Sequence, residues 1–142
     1  MIIAVDFDGT CVTHEFPEVG RDIGAIPVLK ELVEKGHKII LYTMRSHPDK
    51  NNQDKTLSGG IISNDTLQDA IDWFKKNDIP LWGINENPEQ KEWTSSPKIY
   101  ANIYIDDAAL GTPLKYDKDD TSSRPYVDWN KMRVLLKIKG AL

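Results

Sequence analysis

Ile2-Ile3-Ala4-Val5-Asp6-Phe7-Asp8-Gly9-Thr10 is the stretch whose reading decides the fold. An uninterrupted apolar run stops on an acid. A run without polar alternation predicts a strand buried on both faces, as in a parallel sheet. Similar runs follow at Lys38-Ile39-Ile40-Leu41-Tyr42-Thr43, at Leu81 to Ile84, and at Ile103-Tyr104-Ile105 ahead of Asp106-Asp107. Helical patterns separate them. Ile26, Leu29, Leu32 and Val33 recur at helical spacing, with Pro27 near the start and Gly36 just past the end. Asp65 is placed to cap a helix carrying Leu67, Ala70, Ile71 and Phe74 on one face. Asp128 is placed to cap a last helix containing Trp129, Met132, Leu135 and Leu136. Strands alternating with helices predict a single α/β domain over residues 1–142 with a mostly parallel sheet. Residues 46–64 read as a long polar loop, 86–97 as a second one, and 111–127 as irregular.

Composition narrows the partners. The 18 basic residues against 22 acidic give a formal net charge of −4, and no Lys/Arg run is present. A duplex-binding protein needs a basic face, so bulk nucleic acid is not an expected partner, while a nucleotide stays open. A lone cysteine, Cys11, permits no internal disulfide and no Cys-rich zinc site. This suits a reducing cytoplasm. No apolar stretch approaches the roughly 20 residues of a membrane helix, so no membrane partner is expected.

The chemistry lies in where the polar residues fall. Asp6, Thr43 and Asp106-Asp107 each directly follow an apolar strand. In an open parallel sheet the C-terminal strand ends share one edge, where ligands bind. Carboxylates gathered there repel one another unless a cation joins them. Oxygen ligands of this kind favour Mg²⁺ bridged to a substrate phosphate. Of the two carboxylates in Asp6-Phe7-Asp8, one can attack phosphorus. The other can protonate the leaving oxygen and later activate water. Gly9 permits the tight turn that aims both, with Thr10 beside it in the phosphate-binding group. Thr43 offers a hydroxyl, and the backbone N–H groups after it, at Met44 and Arg45, can contact the phosphoryl group. A lysine would neutralise the charge; Lys98 is the candidate and Lys91 the fallback. Lys98 stands ahead of Asp106 in sequence, so that role requires the chain to turn near Tyr100 to Asn102. The Arg45 side chain is read as either a substrate-phosphate contact or a solvated loop residue. Asn85 is read as a loop brace, and His14 and His47 as solvated loop residues.

The ordered set Asp6-Phe7-Asp8-Gly9-Thr10, Thr43, Lys98 and Asp106-Asp107 resembles the four motifs of the haloacid dehalogenase (HAD) superfamily, in particular its small capless members. The resemblance implies a three-layer Rossmann-like fold with sheet order 3-2-1-4, helices on both faces and no cap domain. It also implies an aspartyl-phosphate intermediate, with Asp6 as nucleophile and Asp8 as general acid/base. Mg²⁺ would be held by Asp6, the main-chain carbonyl of Asp8, Asp106 and Asp107. The expected activity is hydrolysis of a small phosphate monoester, a sugar phosphate or similar metabolite before a nucleotide 5′-phosphate. The reading from a different class is a non-catalytic phospho-acceptor module; a receiver domain of that kind would carry its acceptor after the third strand, where Asn85 stands. Without a cap, substrate selection would fall to loop 46–64, to the flap from His14 to Pro17, or to a neighbouring subunit in a homo-oligomer.

Overall fold

The computed structural model describes residues 1–49, 55–62, 64–118 and 124–142. Strand β1 (Ile2–Val5) is followed by helix α1 (Ala25–Glu34), β2 (Lys38–Leu41), α2 (Thr66–Lys76), β3 (Leu81–Ile84), β4 (Ile103–Ile105), β5 (Leu114–Lys115), β6 (Tyr126–Val127) and α3 (Trp129–Ile138). The first four strands form a parallel sheet in the order β3-β2-β1-β4. The chain is thus an α/β protein with the expected strand order. Among the described residues no helix is long and apolar enough to cross a membrane.

Register sets the working edge. Val5 lies opposite both Leu41 and Ile105, so the residues after these three strands emerge side by side. The ladder continues one step further, with Asp6 N–H donating to the Ile105 carbonyl at 2.9 Å and Tyr42 N–H to Val5 at 2.8 Å. The local signals behave as their chemistry requires. Asp65 accepts from Gln68 N–H at the start of α2, and Asp128 accepts from Asn130 and Lys131 N–H at the start of α3. Each satisfies amide groups that have no partner inside the helix.

Among the described residues, however, the three α-helices pack on one face of the sheet. Residues of α1, α2 and α3 share one buried cluster with Ile3, Val5, Ile39, Leu41 and Ile105. The alternate residues Ala4 and Ile40 instead meet Ile99 and Ala101, with Trp82 packed alongside. The reason is topological. The steps β1→β2 and β2→β3 run in one direction, and right-handed crossovers put both helices on the same side. The return from β3 to β4 covers the other side with an irregular segment containing only a short 3₁₀ turn, Gln90–Glu92. Helix α3 joins the side of α1, where Arg133 pairs with Glu31 at 2.8 Å.

Gln90 organises that irregular cover. It is buried, and its amide N–H groups donate to the carbonyls of Ser96 (3.0 Å) and Lys98 (2.7 Å). Its side-chain oxygen accepts from Tyr100 N–H at 2.8 Å. Residues 111–127, expected to be irregular, contain the antiparallel pair β5–β6. This ribbon leads into two contacts under the loop after β1 and a third back onto its own first strand's approach. Val127 N–H donates to Gly9 (2.9 Å) and Asp128 N–H to Pro113 (2.8 Å). The buried Trp129 indole N–H donates to the Thr10 carbonyl at 2.7 Å. In the loop 46–64, residues 50–54 and 63 lie outside the described residues, and Lys55 pairs with Ile61 in an antiparallel bridge.

Gln90→Leu keeps the side-chain bulk but removes three hydrogen bonds and strands their backbone partners. The expected loss of stability is about 2–4 kcal/mol in urea denaturation.

Candidate metal-binding and catalytic site

Asp6, Asp106 and Asp107 meet at the C-terminal edge of β1 and β4. One carboxylate oxygen from each lies within 4.8 Å of the others. The buried Thr10 hydroxyl stands between them. It lies 3.2 Å from Asp6 Oδ2 and 3.4 Å from Asp107 Oδ1, and it accepts from Asp107 N–H at 3.0 Å. Ala108 N–H donates to Asp106 Oδ1 at 2.8 Å. His14 Nε2 reaches Asp107 Oδ2 at 3.0 Å, so His14 belongs to the site instead of standing in solvent. Gly9 makes room for that ring: its φ is +77°, and a Cβ there would sit 2.0 Å from His14 Nε2.

Burial pushes the Asp6 carboxyl up from an ordinary 3.8 to about 7; the charges of Asp106 and Asp107 add to this, while Phe7 N–H and the Thr10 hydroxyl offset part of it. The cluster is therefore short of positive charge.

Asp8 stands apart from the acidic triad. Its Oδ2 accepts from Arg45 Nε at 2.8 Å and its Oδ1 from Arg45 Nη2 at 2.7 Å, a bidentate pair. Arg45 corrects both expectations held for it, since its side chain is buried and is not offered to a ligand. Its Nη1 donates to the carbonyls of Pro17 and Thr66, both at 3.2 Å, and its Nη2 also donates to Glu18 at 2.7 Å. A guanidinium has five N–H donors, and these contacts use all of them. The group lies against the Phe7 and Phe16 rings, 5.0 and 5.2 Å from their centroids. Arg45 thus ties the loop after β1, the flap and the start of α2 to one point.

Lys98 is also corrected. It is exposed beside the second face of the sheet, its Nζ 5.9 Å from the Tyr104 ring centroid, in a hollow shared with Trp93 and Tyr100. The chain does turn after it, but Asn102 N–H meets the Ile2 carbonyl at 2.8 Å, so the segment enters β4 at the end opposite Asp6. Lys91, the fallback, lies 3.7 Å from Glu86 and does not line the acidic cleft. Gly9 and Thr10 are organisers here and do not present their N–H groups to a phosphate. Gly9 N–H donates to Val12 at 2.7 Å and Thr10 N–H to Phe7 at 3.2 Å.

Thr43 lines the cleft, with its hydroxyl oxygen accepting from Arg45 N–H at 3.1 Å and its own hydrogen left to give. Its N–H donates to Asn85 Oδ1 at 2.8 Å, the bracing role read from the sequence. Met44 stands almost fully exposed at the rim. The cleft has a volume of about 350 Å³, and Arg124 also lines it. Sequence reading missed His14 and Arg124. The first sits in an unpatterned loop, and the second lies far along the chain with no strand end to mark it. His47 pairs at the surface with the helix-capping Asp65.

The chain is similar to a solved structure of a conserved protein from Bacteroides thetaiotaomicron. The two are 28% identical, the match covers 98% of this chain and 91% of that one, and the TM-score is 0.68. No protein-family model and no curated protein matches the chain.

Two predictions follow from the charge distribution. Removing Arg45 as Arg45→Met leaves Asp8 and three carbonyls without their partner and is expected to cost roughly 3–5 kcal/mol in urea denaturation. Asp6, whose carboxyl is raised to about 7 in the fold, contributes stability that is complete below about pH 4 and lost as pH rises through about 7. In metal-free buffer the melting-temperature advantage of Asp6→Asn over wild type is expected to grow between about pH 5 and pH 8. A difference independent of pH would contradict this.

Proposed function

We propose that this protein is a divalent-cation-dependent phosphatase of the HAD type, Rossmann-like in fold, which hydrolyses a small phosphate monoester through a phosphorylated Asp6. The observation that carries this reading is the meeting of Asp6, Asp106 and Asp107, one oxygen each within 4.8 Å. The donors are all hard oxygens, a partly open carboxylate set that would suit Mg²⁺. The raised Asp6 carboxyl fits the same view, since a cation there supplies the missing charge. Asp6, Asp106 and Asp107 would hold the ion, together with the Asp8 main-chain carbonyl. Once bound, it would neutralise the carboxylates and orient the phosphoryl group.

The chain's own groups account for the remaining steps. An Asp6 oxygen attacks phosphorus; the bond from phosphorus to the ester oxygen breaks, and that oxygen leaves with the proton of Asp8, which enters this step as the neutral carboxyl. Asp8 then takes a proton from water, whose oxygen attacks the same phosphorus. The bond to Asp6 breaks and inorganic phosphate is released. Arg45 acts as a positioning residue, fixing the Asp8 carboxylate through two parallel hydrogen bonds. The Thr43 hydroxyl supports a phosphoryl oxygen, and Asn85 keeps the Thr43 main chain in place. A cleft of about 350 Å³ suits a small metabolite, a sugar phosphate before a nucleotide.

The test is release of inorganic phosphate from a panel of phosphorylated metabolites in Mg²⁺. Turnover is expected to vanish with a chelator and to fall by more than about 10³-fold in Asp6→Asn. Lys98→Ala, outside the cleft, is expected to stay within about twofold of wild type. Turnover that survives Asp6→Asn sinks the mechanism.

A further inference from the structure

Among the described residues, the acidic cleft has few cations to offer a ligand. Asp6, Asp8, Asp106 and Asp107 all line it. Against them, Arg45 spends every N–H on Asp8, Pro17, Glu18 and Thr66. His14 Nε2 is engaged by Asp107 at 3.0 Å, and Lys98 belongs to a different hollow. The turn after β1 offers little either, because the Gly9 and Thr10 amides are bonded within it. Arg124 is different. It lines the cleft, is exposed, and makes no hydrogen bond or ion pair among the described residues.

Its location is not incidental. Arg124 enters β6, and β6 is fastened beneath the nucleophile loop by Val127 N–H on Gly9 (2.9 Å) and by the Trp129 indole on Thr10 (2.7 Å). Tyr126, between them and Arg124, is buried and donates its hydroxyl to Asp117 at 2.8 Å. The backbone that carries Arg124 is thus indexed to the same loop that carries Asp6 and Asp8.

Building on the phosphatase reading, we infer that Arg124 is the residue that binds the substrate's phosphoryl oxygens, because among the described residues it is the uncommitted guanidinium on the wall of a cleft whose other described cations are already paired. A guanidinium presents parallel N–H groups that match two oxygens of a phosphate, which an ammonium does not. The role assigned from the sequence to Lys98, and in part to Arg45, passes to a residue beyond the acidic pair.

The probe is inorganic phosphate, titrated by calorimetry in Mg²⁺ into wild type, Arg124→Gln and Arg124→Lys. Arg124→Gln is expected to weaken phosphate binding roughly 10- to 100-fold, and Arg124→Lys to recover only part. Mg²⁺ affinity without phosphate and the melting temperature are expected to hold, since the side chain is exposed and unpaired. Unchanged phosphate binding in Arg124→Gln overturns the assignment, as does a parallel fall in Mg²⁺ affinity, which would make Arg124 a prop for the carboxylates. Wild-type protein that binds no phosphate with Mg²⁺ overturns it outright. The two readings fail separately. Arg124-dependent phosphate binding without turnover of any ester removes the hydrolase and keeps the site. Turnover with an unaltered KM in Arg124→Gln keeps the hydrolase and removes Arg124.

Discussion

Like charges held together are the constraint to which the rest of the structure answers. Parallel pairing of β1 with β4 places Asp6 next to Asp106 and Asp107 because the strands end level. Their backbones stay neighbours for as long as the sheet is intact. The local compensation is modest: one threonine hydroxyl shared by two carboxylates, the backbone amides of Phe7 and Ala108, and one imidazole. It leaves the Asp6 carboxyl raised to about 7. An arrangement costly for folding is worth keeping where a cation or a reaction uses it.

The surrounding cations divide by depth. Arg45 is buried, with every N–H committed, and it joins three separate segments around Asp8. Its value depends on completeness, because a buried ion pair with any partner missing is strongly destabilising. Arg124 is exposed and, among the described residues, uncommitted. Of the two, only the second has N–H groups to spare for a visitor. Proximity to a carboxylate-lined cleft is therefore a poor guide to which arginine meets a ligand; the count of unspent donors is a better one.

Much of this was legible in the chain itself. Continuous apolar runs marked the parallel strands, and their final residues marked the edge where Asp6 and Asp106-Asp107 meet. Asp65 and Asp128 were readable as caps because capping depends on the residue and its few neighbours. Asn85 was readable as a brace from its place after β3. What escaped depended on distant partners. Arg45 looks like a solvated loop residue until carbonyls from Pro17, Glu18 and Thr66 arrive around it. Gln90 is one polar residue among many until it folds the cover across the second face and carries Lys98 away from the edge. The irregular cover on the second face was hidden for a related reason: an alternation of elements does not say that a return crossover will be irregular.

The fastening of Gly9 to Val127 and of Thr10 to the Trp129 indole links the beginning of the polypeptide to a part made much later. During translation, N-terminal segments emerge first. The loop holding Asp6 and Asp8 must therefore wait for more than a hundred further residues before its two main-chain carbonyls find their donors. Nascent chains on the ribosome can pair their strands early, yet the acidic edge takes its final shape only once the segment around Trp129 has left the exit tunnel.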